Sequence, residues 1–152
     1  MIGTKIENDT WLIYEDGGDH WKAIRCDKDA FSYTAWLPVT RLANASSRLD
    51  GLENTNKMLL GGSGARAWVH QKGGYLPALD ELISIVRKQC IINTNSASPI
   101  PAAGNAWSST EYGTSTANSL GLYYGDTNYN YKINSNWCFP IKRIPKIQTT
   151  PV

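Results

Sequence analysis

The chain has 152 residues, 41% of them hydrophobic and 18% charged, which fits one domain with one core and excludes general disorder. A net charge of +2 is too small to argue for nucleic acid, and no run of about 18 apolar residues offers a membrane span, so neither nucleic-acid binding nor membrane insertion is expected. Six Trp and eight Tyr against two Phe favour half-buried and contact positions, because these rings carry a polar handle.

Residues 1–53 hold nine acids and six bases, and residues 54–152 hold four acids and nine bases. This asymmetry reads as scattered surface charge. The aromatic-rich stretch 112–137 contains one base, Lys132, which speaks against a groove for single-stranded nucleic acid. The opening MIGTKIENDTWLIYEDGG lacks the apolar centre of a signal peptide, so synthesis in the cytoplasm without self-directed export is expected. Cys26, Cys90 and Cys138 are odd in number and far apart, which predicts buried free thiols and no disulfide framework.

In chain order, residues 10–26 predict a β-hairpin around Asp16-Gly17-Gly18-Asp19, a strong turn signal between two aromatic and β-branched runs. FSYTAWLPV predicts a strand before Pro38, and TRLANASSRLD a polar loop. Helical pattern begins near residue 50, where Leu52, Met58, Leu59 and Leu60 precede a stop at Gly61-Gly62. Ser63 is the expected cap of a further turn of helix carrying Trp68 and Val69 and ended by Gly73-Gly74. The clearest helix is predicted over 77–90, with Leu79, Leu82, Ile83 and Val86 on one stripe, Pro77 in the first turn, and Asp80, Glu81, Arg87 and Lys88 placed to suit the dipole.

A Ser/Asn/Pro/Ala connection over 91–106 precedes short strands at 107–112, 119–124 and 129–133, with a turn at Gly125-Asp126-Thr127-Asn128. A closing strand follows at 137–144, with Pro140 marking an edge or a bulge, and then a short extended tail. The order strands, helices, strands predicts an α+β domain whose terminal strands pair, bringing residue 11 near residue 140.

DGLENTNKML (50–59), GGYLPALDEL (73–82), WSSTEY (107–112) and CFPIKRI (138–144) together resemble the C-terminal domain family named after the Legionella collagen-like protein. The resemblance covers 50–144, with 1–49 as an N-terminal hairpin region of the same single domain. It implies a C-type lectin-like fold of the formylglycine-generating-enzyme type. That means two or three helices packed on a small mixed or antiparallel sheet, and a C-terminal β/loop face for a ligand. Trp107 is then expected in the core, with Ser108, Ser109 and Glu111 hydrogen-bonding backbone or capping loops. The closing strand departs from the family's Val-Arg-x-Val-Arg pattern at Pro140.

Catalytic chemistry finds little footing. No short-spaced cysteine pair exists, and His20 and His70 have no ligand-like spacing with a cysteine. Between 82 and 152 only Glu111 and Asp126 are acidic, too few for calcium. No catalytic residue, metal or cofactor is therefore expected, and an enzyme of the formylglycine-generating type is the least favoured alternative.

Binding is better supported. Over 112–137, five Asn, five Tyr, three Ser, three Thr and three Gly make 19 of 26 residues, the diet of an antibody paratope. Turns explain several of these, but the tyrosines need a surface. The candidate contact residues are Asn118, Tyr123, Tyr124, Asp126, Asn128, Tyr129, Asn130, Tyr131, Asn134 and Asn136. Relatives in the resembled family include phage receptor-binding proteins diversified by retroelements that mutate Asn codons, and 118–136 resembles such a segment. The expected function is a non-enzymatic binding domain of a phage virion protein or surface adhesin, acting in the virion or at an extracellular surface. Its expected partner is a protein or glycan on a target cell, or other virion proteins. The alternative is a decoration protein without a host ligand.

Overall fold

The computed structural model describes residues 1–37, 41–58 and 63–146. Among these residues the architecture is α+β, with two sheets and four helices. β1 (Lys5–Ile6), β2 (Trp11–Asp16), β3 (His20–Arg25) and β9 (Ile141–Pro145) form an antiparallel sheet in the order β1-β2-β3-β9. β4 (Ser32–Ala35), β5 (Asn105–Glu111), β6 (Thr116–Gly121), β7 (Thr127–Tyr131) and β8 (Ser135–Cys138) form a mixed sheet in the order β4-β8-β5-β6-β7, with β5 and β8 parallel.

The predicted hairpin is β2–β3, closed by Gly17 N–H donating to the His20 carbonyl at 2.9 Å. β2 is apolar at consecutive positions because both its faces are covered. Leu12 and Tyr14 enter the main core, while Trp11 and Ile13 pack with Ala23, Trp21 and Ile144 on the other side. The register slips between Ile13 and Glu15, which leaves Tyr14 as a bulge residue.

α1 (Gly51–Lys57) is capped by the Asp50 carboxylate, which accepts from Glu53 N–H at 3.0 Å. It buries Asn54 and Thr55, whose side chains donate to the Ser47 and Gly51 carbonyls, and ends on buried Met58, while Leu52 stays exposed. Leu59, Leu60 and the stop at Gly61-Gly62 lie outside the described residues, as do Pro38 and the tail after Lys146. α2 (Ala65–Gln71) starts from Gly64 at φ 94 with no side-chain cap, so Ser63 does not cap it.

The predicted helix over 77–90 is shorter at both ends. α3 (Leu79–Arg87) begins after Ala78, with Pro77 outside the helix, and Glu81 reaches back to accept from Ala78 N–H. Its buried stripe is Leu79, Leu82 and Ile85, with Ile83 and Val86 half-buried. Lys88 breaks the helix, and α4 (Gln89–Asn95) continues through 91–95, the start of the expected connection, with Ile92 inserted into the core.

The predicted closing strand is two strands. Between Cys138 and Ile141 the chain passes from one sheet to the other, with Phe139 buried in the main core. Pro140 sits at that crossing, where a missing N–H breaks no ladder, and its carbonyl accepts from Arg25 N–H at 2.9 Å. β9 is an edge strand beside β3, so Trp11, paired with Arg25, lies one strand away from Pro140. The main core joins Tyr14 and Ile24 of the N-terminal hairpin to Leu82, Ile92, Leu120 and Ile141.

Candidate functional site

The motif WSSTEY is where the second sheet is anchored. Trp107 pairs with Ser119 and Glu111 with Ala117, so Ser108, Ser109 and Thr110 together face Asn118 in a wide bulge. A bulge loses ladder hydrogen bonds, and the three hydroxyl residues replace them. Ser108 Oγ donates to the Asn118 carbonyl at 2.8 Å, and Ser109 Oγ accepts from Asn54 Nδ2 at 3.3 Å. Thr110 Oγ1 donates to the Ser47 carbonyl at 2.8 Å and accepts from Leu79 N–H at 2.9 Å. Trp107 is fully buried and its indole N–H donates to the Thr34 carbonyl. The motif's side chains are thus consumed internally up to Glu111.

Glu111 holds the most buried ion pair of the described residues. Its Oε2 lies 2.6 Å from Lys132 Nζ, with the two side chains 5% and 0% exposed. The carboxylate also accepts from Ala43 and Asn44 N–H, while Lys132 Nζ donates to the Arg41 carbonyl at 2.8 Å and lies 4.7 Å from the centre of the Trp36 ring. The backbone of Lys132 donates to the Ser115 carbonyl and accepts from Trp36 N–H. This one residue pins the end of β7 to β5, to the 41–45 loop and to β4. Its one mark in the sequence is that Lys132 is the single base of the aromatic-rich tract 112–137, whose one acid is Asp126.

From that anchor, β6 and β7 project as a hairpin. The register sets Thr116 against Tyr131, Asn118 against Tyr129 and Leu120 against Thr127. Alternation places Thr127, Tyr129 and Tyr131 on one face and Asn128 and Asn130 on the other. Tyr112 lies on Tyr129 in a parallel stack, with centroids 4.4 Å apart and an interplanar angle of 2°. An open cleft of about 570 Å³ runs beside this stack, lined by Arg48, Tyr112, Asn118, Asn128 and Tyr129. Arg48 is engaged with Asp80 at 3.0 Å. A second cleft, of about 290 Å³, is lined by Thr116, Tyr129, Asn130, Tyr131 and Asn134, so Tyr129 stands between two concavities.

The ten predicted contact residues fall into five groups. Asn118, Asn128 and Tyr129 meet at the larger cleft, and Tyr129, Asn130, Tyr131 and Asn134 at the smaller one. Tyr123 and Tyr124 form the tip of the β6–β7 turn and not a strand; they touch edge to face and are 73% and 85% exposed. Asp126 accepts from Asn128 Nδ2 at 2.9 Å and so serves the hairpin's own turn. Asn130 Nδ2 donates to Ser119 Oγ at 2.6 Å. Asn136 stands apart: it is buried on β8 opposite Thr34, and its Nδ2 has no hydrogen-bond partner among the described residues. Tyr112 and Arg48 join the site without having been singled out, because both reach it only through the fold.

The thiols divide by environment. Cys90 is exposed, whereas Cys26 and Cys138 are buried. Burial pushes the Cys26 thiol up and the Cys138 thiol up to about 12, which keeps both protonated and poorly nucleophilic near neutrality. Burial also raises the Tyr14 and Tyr75 hydroxyls, with the Glu81 carboxylate adding to the shift. Among the described residues no three His, Cys, Asp or Glu side chains gather as a metal cluster, and no helix is long and apolar enough to cross a membrane. No protein-family model matches the chain, and comparison with curated proteins finds none of significant similarity.

Proposed function

We propose that the chain is a non-enzymatic ligand- or receptor-binding domain of C-type lectin-like fold, related to the C-terminal domain family of the Legionella collagen-like protein. Its working face is the β6–β7 hairpin with Tyr112. The carrying observation is the contrast between the anchor and the projection. The polar side chains of 107–111 are spent on internal hydrogen bonds, while Tyr112, Tyr123, Tyr124, Tyr129 and Tyr131 are each more than half exposed. Solvating five large rings without a partner leaves apolar surface in water, and rigid tyrosines interleaved with amides suit adaptable contact. The N-terminal hairpin joined to the C-terminal strand, with helices between and a late excursion into a second sheet, supports the lectin-like reading. A phage virion protein or surface adhesin is the setting that fits such a face, with a protein or glycan of a target cell as its partner. Diversification of 118–136 accounts for its Asn/Tyr diet.

The test replaces Tyr123, Tyr124, Tyr129 and Tyr131 together with Ala and measures binding to target cells, incorporation into particles and thermal unfolding. Cell binding is expected to fall while folding and assembly persist. Retained cell binding with failed assembly would replace this reading with the decoration role. Diversification predicts a near-copy of the 118–136 coding sequence nearby, differing at adenines, and an adjacent reverse transcriptase gene.

A further inference from the structure

Among the described residues the two sheets have four edge strands, and three are guarded by different devices. β1 is two residues long and is followed by three residues with left-handed backbone, Glu7, Asn8 and Asp9. β9 carries Lys142 and Arg143 and is bracketed by Pro140 and Pro145. β4 has α2 packed beside it. Short strands, charges, prolines and covering helices are the means by which folded proteins keep edges from pairing with other chains. Among the described residues β7, Thr127–Tyr131, has none of them: it has no charge, no proline and no bulge, and four of its five residues are exposed.

Its unpaired backbone groups can be assigned. Gly121 N–H donates to the Asp126 carbonyl and Lys132 N–H to the Ser115 carbonyl, both at 2.8 Å, which marks the hydrogen-bonded pairs at each end of the ladder. Bonded and non-bonded pairs alternate in an antiparallel ladder, so Asn128 and Asn130 bond to β6. Thr127, Tyr129 and Tyr131 therefore turn their N–H and C=O outward.

We infer that this edge is a docking surface for a second copy of the chain, paired antiparallel through β7 about a two-fold axis at Tyr129. The strand is self-complementary in that arrangement. Tyr129 meets Tyr129 of the second copy, and Thr127 meets its Tyr131, with roughly six new backbone hydrogen bonds. Like charges opposite one another destabilise a sheet, and the uncharged strand brings none together. Asp126 falls opposite Lys132 of the second copy and so meets no acid. Pairing at the edge joins two five-stranded sheets into one and leaves both tyrosine faces open, so two copies present one continuous face. Because the other edges are guarded, assembly stops at two. This inference stands on the backbone edge and does not require the ligand reading.

Sedimentation equilibrium and light scattering of the full chain over a concentration series test it. A reversible monomer–dimer equilibrium is expected, and a monomer at every concentration, or growth beyond dimers, overturns it. Tyr129→Lys sets two ammonium groups against each other and is expected to weaken the dimer about tenfold or more. A dimer insensitive to it overturns the β7 assignment. Thr127→Lys/Tyr131→Lys should dissociate the dimer and Thr127→Lys/Tyr131→Glu should restore it; equal behaviour of the two overturns the two-fold register. Circular dichroism confirms that each variant compared is folded.

Discussion

Replacing Lys132 with Met removes the ammonium but keeps most of the stem against Trp36. The Glu111 carboxylate, 5% exposed, then keeps only the Ala43 and Asn44 N–H groups, and the Arg41 carbonyl loses its Lys132 donor. Removing one partner of a buried pair costs about 3–5 kcal/mol, since a charge is left unpaired away from water. The two remaining backbone donors place Lys132→Met near the lower end, at about 3 kcal/mol. The loss is one of pairing and not of volume, so adding Glu111→Gln should recover about half of it, because the amide still accepts one N–H and carries no charge. Lys57→Met is the control. Its pair with Glu53 has side chains 45% and 52% exposed, and such a helix pair contributes under about 0.5 kcal/mol. Urea unfolding followed by circular dichroism reads all of these. Amide exchange at Ala43 and Asn44 should accelerate in Lys132→Met before global unfolding. A Lys132→Met loss no larger than that of Lys57→Met would refute the anchoring role.

Gly51→Ala should destabilise by about 2 kcal/mol or more in the same assay. An added Cβ would lie 2.7 Å from both the Ala78 nitrogen and Glu81 Oε1 and closer still to the Leu76 carbonyl, and backbone cannot give way there. Thr110→Val should cost about 2–4 kcal/mol, because Leu79 N–H and the Ser47 carbonyl both lose a buried partner, while Thr110→Ser should stay within about 1 kcal/mol of the parent. Alkylation of the folded protein at pH 8 should modify Cys90 alone, and all three thiols after unfolding. The raised Cys138 thiol favours the neutral form in the fold, so its contribution is intact below about pH 9 and is lost as pH rises toward 12. Three pKa units correspond to at most about 4 kcal/mol, and Cys138→Ser should flatten that alkaline loss in unfolding titrations.

Local chemistry made several elements legible. Asp16-Gly17-Gly18-Asp19 specifies a hairpin turn, and the dipole-matched charges of 79–87 specify a helix. What the sequence blurred lies where packing overrides propensity. Residues 91–95 are polar enough to read as a connection, yet they lie in α4, which buries Ile92. Residues 137–144 look like one β run, and only the existence of two sheets divides it at Pro140. Asn136 looks like its neighbours in composition but falls on an interior strand.

By itself the sequence determined the class of layout and the concentration of tyrosine and asparagine between Tyr112 and Trp137, because turn signals, periodicity and composition are local properties. Only the tertiary structure decided which of those side chains share a surface. Tyr112 meets Tyr129, and Glu111 meets Lys132, across the bulge and strand register of β5, β6 and β7. A register shift of one residue would send each tyrosine of β7 to the opposite face. That register is set by long-range hydrogen bonds and by one buried charge pair, neither of which any short stretch of residues encodes.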